Sequence, residues 1–284
     1  MTTIQGVILG LLQGLTELFP VSSLGHSVLL PHLLRWNINE SNNSFLLFLV
    51  ATHLATSLVL FGFFWRDWFS IVKGIIRSFK ERVISDEDTY AKLGWLLVVA
   101  TIPAGIIGLL FQETLTNLFA SPIPVSIFLA LNGLMLLGIE RFKSKKKTIE
   151  GQEVSVPKIT KLSWGDSIKI GFAQCLALLP GFSRTGSTLG GGLITGLDHV
   201  DAAHFSFLLA TPIIFAAAVL KLPDLVTGTS HTDVVTIIVG SICAAIAAWI
   251  AISFLSKYFK TKTLTPFGIY CLSLGLVSLL YFIL

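Results

Sequence analysis

One stretch of the sequence combines residues that could bind phosphate, and it interrupts an otherwise apolar segment. It spans residues 179–188 and contains an arginine, two glycines and four hydroxyl side chains: Gly181, Ser183, Arg184, Thr185, Gly186, Ser187 and Thr188. Glycines let the backbone turn, successive amides form an anion nest, and arginine offers donors that match phosphate oxygens. A charge at membrane depth is costly in free energy, so the arginine in this stretch indicates a functional site. We predict a phosphate-binding loop buried in a membrane protein.

A second stretch, near the N-terminus, carries side chains suited to acid–base or nucleophilic chemistry. Gln13 and Glu17 are four residues apart, so a helix places them on one face. Ser22, Ser23 and His26 follow at a break in the apolar pattern. An ionised Glu17 needs a partner there, either the arginine of the other stretch, a divalent cation or a proton. His26 could be a general acid or base, and a serine could bind phosphate or act as a nucleophile.

Each of these residues also has a purely structural interpretation. Serine and threonine in membrane helices often bond back to their own backbone. His53 and His204 could bridge two helices, and Glu17 could form a buried salt bridge with Arg184 without any chemistry. That salt bridge alone would not explain the glycines and hydroxyl groups around Arg184, so the sequence favours a reactive site.

The composition is that of a membrane protein. Of 284 residues, 53% are hydrophobic and only 13% are charged, and the mean hydropathy is +0.80. The formal net charge of +4 does not indicate nucleic-acid binding, because the basic residues are confined to loops. The isolated cysteines Cys175, Cys243 and Cys271 lack the spacing of a disulfide framework or a zinc site.

The apolar pattern predicts an all-α polytopic membrane protein. Six continuous segments of roughly spanning length lie at 45–64, 94–111, 123–140, 203–221, 234–256 and 265–284. Two further apolar segments, 4–34 and 167–193, are broken by the two chemical stretches. We interpret both as re-entrant helix–loop–helix hairpins, because non-helical backbone at membrane depth must be surrounded by protein or water.

The basic residues predict the orientation in the membrane. Most of them lie in three loops, 65–93, 141–166 and 257–262, whereas 112–122 and 222–233 contain none. By the positive-inside rule the three basic loops are cytoplasmic. With six spans and two hairpins that do not cross, both termini are then expected outside the cytoplasm, with membrane lipids around the chain.

The two halves of the sequence resemble each other. At an offset of 161 residues, Gln13 aligns with Gln174 and Ser22 with Ser183. We predict a first repeat at 1–140, a cytoplasmic linker at 141–166 and a second repeat at 167–284, each repeat being one hairpin plus three spans. An odd number of spans inverts the second copy, and inverted repeats of broken helices build binding sites near the midplane.

Both chemical stretches resemble the undecaprenyl-diphosphate phosphatase family, the integral membrane type linked to bacitracin resistance. The family pattern Pro-Gly-x-Ser-Arg-Ser-Gly-x-Thr corresponds to Pro180–Thr188. The pattern Glu/Gln-x-x-x-Glu corresponds to Gln13–Glu17, and Pro-Val-Ser-Ser-x-Gly-His to Pro20–His26. The resemblance extends through Thr101–Gly108 and the span pattern, so it covers essentially the whole chain.

The resemblance implies hydrolysis of a polyprenyl diphosphate lipid carrier to its monophosphate, with recycling of the lipid for peptidoglycan synthesis. It implies Glu17, Ser23, His26 and Arg184 as catalytic residues. It also implies dependence on a divalent cation, Mg²⁺ or Ca²⁺, with Glu17 as its ligand. The diphosphate is expected to contact Gln13, Ser22, Gly181, Ser183, Thr185, Gly186, Ser187 and Thr188.

The chain departs from the family pattern at Gln13, which replaces a glutamate found in many members and weakens any scheme in which two carboxylates share a metal. Thr185 replaces serine but keeps the hydroxyl group.

A competing hypothesis is a transporter that flips polyprenyl monophosphate between leaflets, since inverted repeats commonly support alternating access. A structural scaffold is a third hypothesis, which leaves the buried arginine unexplained. The sequence leaves open whether serine, histidine or water is the nucleophile, and whether the chain oligomerises.

Overall fold

A computed structural model describes residues 1–38, 43–85, 87–111, 121–150, 159–226 and 231–284. In this part of the chain the regular structure is helical, without strands. The helices are α1 Thr3–Leu18, α2 Ser23–Leu33, α3 Asn43–Phe63, α4 Trp65–Glu81, α5 Thr89–Leu110, α6 Pro122–Glu150, α7 Trp164–Cys175, α8 Arg184–Ile194, α9 His199–Val226, α10 His231–Tyr258 and α11 Thr265–Ile283. Short 3₁₀ turns lie at Ile159–Lys161 and Leu176–Leu178.

Six of the described helices are long and apolar enough to cross a membrane. They are α3, α5, α6, α9, α10 and α11, which cover the six segments predicted from hydropathy to within one residue at their ends. The prediction of an all-α, multi-pass membrane protein is therefore confirmed.

Both broken segments are pairs of helices separated by a short break. Helix α1 is followed by α2, and α7 by α8, and the two helices of each pair pack against each other. A serine ends each break: the Ser22 hydroxyl accepts a hydrogen bond from the Gly25 amide (3.2 Å), and the Ser183 hydroxyl accepts one from the Gly186 amide (3.1 Å). These N-caps explain why α2 and α8 begin where they do.

Helix α1 packs closely along α10 because it carries glycine at every fourth position. Gly6, Gly10 and Gly14 all face α10, and a Cβ atom built at Gly10 would collide with the backbone of Gly240. Small residues at this spacing allow two membrane helices to approach and gain van der Waals contact. This contact fixes the first hairpin against a helix from the other half of the chain.

Four helix pairs follow the same scheme when the two halves are exchanged. Helix α1 of the first hairpin packs on α10, and α7 of the second hairpin packs on α5. Two further pairs join equivalent spans, α3 with α9 and α6 with α11. Such pairing is expected of two related halves. The inversion of the second half, its division at 141–166 and the re-entrance of the hairpins remain predictions.

Two basic segments contain more helix than their composition indicates. The charged stretch 65–93 includes α4, and α5 already begins at Thr89. Helix α6 continues to Glu150, well into the predicted linker. Residues 151–158 of that linker and 112–120 of the loop without basic residues lie outside the described part of the chain.

Candidate active site

The two helix breaks, far apart in sequence, contact each other at Glu17 and Arg184. Glu17 Oε1 accepts a hydrogen bond from Arg184 Nη2 at 2.5 Å, and their side chains are only 5% and 15% exposed. The Thr185 hydroxyl donates to the Glu17 backbone carbonyl at 3.0 Å. The ion pair therefore joins the end of α1 to the start of α8 in buried surroundings.

The second carboxylate oxygen of Glu17 lies close to three other polar side chains. Oε2 accepts hydrogen bonds from Ser23 Oγ at 2.5 Å and from Gln13 Nε2 at 3.0 Å. His53 Nε2 of α3 lies 3.3 Å from the same oxygen. Glu17 is thus the common partner of a potential nucleophile, an anion-binding arginine and a histidine.

Asn132, in the middle of α6, connects the two breaks from the side. Its Nδ2 donates to the carbonyl of Pro20 at 3.1 Å, and its Oδ1 accepts from the amide of Ser183 at 3.1 Å. Asn132 is fully buried. A single amide therefore satisfies backbone groups of both loops, which buried irregular backbone requires.

His26 lies one turn into α2 and is held by two hydrogen bonds. Nδ1 is 2.7 Å from the carbonyl oxygen of Ser22, and Nε2 is 2.8 Å from the hydroxyl of Tyr270. A carbonyl can only accept, so Nδ1 carries a proton, and in the neutral ring Nε2 accepts from Tyr270. His26 is thus oriented by its own helix start and by α11, and not by a bond to Ser23.

Two residues in the breaks have positive φ angles. Ser22 has φ 70°, a strained value for a non-glycine residue that costs about 1–3 kcal/mol. Gly181 has φ 107°, and a Cβ there would collide with the carbonyl of Val125. The surrounding packing therefore imposes the loop shape, and only glycine fits at position 181.

Several polar atoms around the site are buried without a hydrogen-bond partner in the described structure. They are Arg184 Nη1, Ser187 Oγ, Gln13 Oε1 and both amide atoms of Gln174. Buried polar atoms normally have partners, so each of these atoms is a candidate to bind a ligand or a water molecule. Arg184 binds Glu17 with one terminal nitrogen and could donate to a phosphate oxygen with the other.

Gln174 and Ser187 are buried on the two helices of the second hairpin. These helices pack together where Gly191 of α8 lies against Ile170 of α7. Gln174 was noted in the sequence only as the counterpart of Gln13, but its unpartnered amide makes it a candidate ligand.

The other predicted diphosphate ligands of the second loop use their hydroxyl groups within the protein. Ser183 caps α8, Thr185 binds the carbonyl of Glu17, and Thr188 donates to the carbonyl of Arg184 at 2.9 Å. The structural interpretation applies to these three hydroxyl groups. Their direct contact with substrate, and that of Ser22, Gly181 and Gly186, remains a prediction.

The residues around Glu17 do not fit a protein-held divalent cation. In the described part of the chain no group of three or more His, Cys, Asp or Glu side chains is arranged to bind a metal. Position 13 supplies a neutral amide, and the adjacent Arg184 would repel a cation. The role of Glu17 as a Mg²⁺ or Ca²⁺ ligand remains a prediction, and no step below depends on it.

Sequence reasoning missed three residues of the site. Asn132 and Tyr270 lie within apolar spans, where a single polar residue gives no signal of its partners. His53 was considered only as a bridge between helices, yet it lies against Glu17. Only the folded arrangement brings these three side chains to the hairpins.

Comparison with known proteins identifies the family of this chain. A model of the bacitracin resistance protein BacA family matches residues 6–277. Undecaprenyl-diphosphatase 2 of Chromobacterium violaceum is 43% identical, covering 99% of each chain. The undecaprenyl-diphosphatases of Mycolicibacterium paratuberculosis and Gluconobacter oxydans are 41% and 42% identical, covering 98% of this chain and 96% and 98% of theirs. The resemblance found in the sequence motifs is confirmed, and the chain belongs to the bacitracin resistance protein BacA family.

Proposed function

We propose that this protein hydrolyses undecaprenyl diphosphate, or a similar polyprenyl diphosphate, to the monophosphate and inorganic phosphate, which recycles the lipid carrier for peptidoglycan synthesis. The names of its relatives support the substrate. The observation that carries the chemistry is the buried chain Ser23–Glu17–Arg184, in which Arg184 Nη1 remains without a partner. This arrangement joins a nucleophile, a proton acceptor and a phosphate-binding cation.

In the proposed reaction, Arg184 Nη1 binds the terminal phosphoryl group. Ser23 Oγ attacks the terminal phosphorus while its proton passes to Glu17 Oε2, only 2.5 Å away. The bond from phosphorus to the bridging oxygen breaks, and polyprenyl monophosphate leaves. Arg184 stabilises the charge that shifts onto the phosphoryl oxygens.

A water molecule then attacks the phosphorus of the phosphoserine. The bond from phosphorus to Ser23 Oγ breaks, Ser23 takes its proton back from Glu17, and inorganic phosphate leaves. We assign His26 to accept the proton of the attacking water, because its Nε2 accepts from the Tyr270 hydroxyl and could exchange that bond for one to water. His53 is assigned a positioning role beside Glu17. Of the three possible nucleophiles, the proposed reaction uses the Ser23 hydroxyl.

We place the protein in the bacterial cytoplasmic membrane, with the loops 65–93, 141–166 and 257–262 in the cytoplasm and both termini outside. The distribution of basic residues supports this orientation. A labelling experiment on single cysteines introduced at the termini and in these loops would test it. Oligomers are compatible with the proposed reaction, since the described site residues all come from one chain.

The experiment that tests the mechanism is phosphate release from a polyprenyl diphosphate in detergent, combined with acid quenching of ³²P-labelled substrate. Ser23→Ala should abolish both phosphate release and the labelled phosphoenzyme. Ser256→Ala is the matched control, because Ser256 bonds only to its own helix backbone in α10. Phosphate release by Ser23→Ala at the wild-type rate would reject the serine nucleophile.

The transporter hypothesis is not favoured, because the relatives are named as diphosphatases and transport has no evident use for Ser23, Glu17 and His26 together. Liposomes containing the pure protein distinguish the two. Movement of labelled polyprenyl monophosphate without any release of phosphate from the diphosphate would replace the proposed function.

A further inference from the structure

Helix α4 has one narrow face packed against the protein. Ile71, Gly74 and Ser78 are buried against the start of α5. Gly74 lies against Ala91, and Ser78 Oγ accepts a hydrogen bond from Trp95 Nε1 at 2.9 Å. These contacts fix the rotation of α4 about its axis, so its other faces point away from the protein in a defined direction.

The second face of α4 is apolar and exposed. It consists of Trp65, Phe69, Val72, Ile76 and Phe79, which are between 49% and 65% exposed. At 100° per residue these side chains occupy an arc of about 80°. Five large apolar side chains in one stripe would not face water, and in a multi-pass membrane protein their natural surroundings are lipid chains.

The third face of α4 is basic and borders the apolar stripe. It consists of Arg66, Lys73, Arg77 and Lys80, which are all exposed, and of these the Arg77 guanidinium is already paired with Asp88. The centre of this basic arc lies about 90° from the centre of the apolar one. The basic groups adjoin exposed rings: Lys73 Nζ lies 4.2 Å from the centroid of Phe69, and the Arg66 guanidinium 5.4 Å from that of Trp65.

We infer that α4 lies in the membrane interface and binds anionic phospholipid. The apolar stripe enters the hydrocarbon boundary, the basic face binds phosphate headgroups, and the buried face holds the helix to the spans. Helix α4 directly follows α3 and precedes α5, so it lies where spans leave the membrane. The predicted orientation places that end in the cytoplasmic leaflet, where anionic lipids attract basic residues. Charge complementarity identifies the partner as phospholipid.

The test is thermal unfolding of the full-length protein in mixed micelles, titrated with phosphatidylglycerol or phosphatidylcholine. Wild type should be stabilised at lower concentrations of phosphatidylglycerol than of phosphatidylcholine. Each basic residue at an anionic surface contributes about a fivefold gain in affinity. R66Q/K73Q/K80Q should therefore raise the half-saturating phosphatidylglycerol concentration by at least about tenfold.

Two matched variants make this test specific. K257Q/K260Q/K262Q removes the same charge from exposed lysines of another predicted cytoplasmic loop and should leave the titration within about twofold of wild type. R66K/K73R/K80R keeps the charge and should also bind like wild type. Phosphate release in micelles without anionic lipid should be unchanged in all three variants, which verifies folding.

The inference would be overturned by equal effects of the two lipids on wild type, or by wild-type lipid binding in R66Q/K73Q/K80Q. It would also be overturned if K257Q/K260Q/K262Q lost as much affinity, because net charge would then explain the binding. Stabilisation by inorganic phosphate at equal ionic strength would indicate an anion site in place of a lipid surface. None of these outcomes depends on the proposed reaction.

Discussion

Substitutions in the ion pair between Glu17 and Arg184 should affect the stability of the protein and its activity differently. We consider Glu17→Met, Arg184→Met and the double variant, since methionine fills most of the volume of either side chain without charge. All three should lose activity by at least about 100-fold, because each removes the proton acceptor or the phosphate-binding cation. Their stabilities should differ.

The expected stabilities follow from the partners that each variant leaves behind. In Glu17→Met, Arg184 Nη2 loses its acceptor and Nη1 already has none, so a buried charge is left unpaired at a cost of about 3–5 kcal/mol. In Arg184→Met, the carboxylate keeps its hydrogen bonds from Ser23 and Gln13, and about 1–3 kcal/mol is expected. The double variant contains neither charge and should be more stable than Glu17→Met.

The free energy of unfolding can be measured by SDS titration in mixed micelles, with phosphate release measured in parallel. A lower stability of Arg184→Met than of Glu17→Met would contradict these expectations. A loss in the double variant equal to the sum of the two single losses would contradict them as well. Additivity would mean that the two side chains do not interact across the breaks.

Further predictions concern helix packing, His26, the second hairpin and metal. Gly10→Val should destabilise the protein by about 1–3 kcal/mol, because its side chain would collide with Gly240; Gly105→Val, whose Cβ would meet open space, is the control for SDS unfolding. Tyr270→Phe should slow turnover by no more than about tenfold, whereas His26→Ala should slow it by about 100-fold or more; equal effects would contradict a positioning role for the tyrosine. Gln174→Leu should raise the substrate KM with little change in unfolding, and an unchanged KM would exclude it as a ligand. The purified protein should contain less than one metal ion per chain, and extensive dialysis against a chelator should change neither this content nor the unfolding temperature. A stoichiometric ion that is retained after dialysis would reveal a protein-held site.

The sequence predicted the spans well because hydropathy over a whole segment determines which helices can cross a membrane. It also indicated that the two chemical stretches could meet, since Arg184 was one of the three partners considered for Glu17, beside a divalent cation and a proton. The partners from other spans could not be found in this way. Tyr270 is separated from His26 by 244 residues, and no local pattern links them.

Helix α4 was missed for a different reason. Its basic residues determined the interpretation of 65–93 as a cytoplasmic loop, and charge masked the helical spacing of Phe69, Val72 and Ile76. The composition of a segment averages over all of its residues. A helix at a membrane interface, however, has a different environment on each face. The rotation that distinguishes these faces is determined by contacts with α5, which are visible only in the folded chain.

The single amide of Asn132 has a consequence for motion. Asn132 bonds to both loops, so a shift of one hairpin relative to the other would break one of its two hydrogen bonds. An alternating-access cycle that moves the hairpins apart would have to break such a bond in every transport cycle. Hydrolysis of a bound diphosphate requires no such opening.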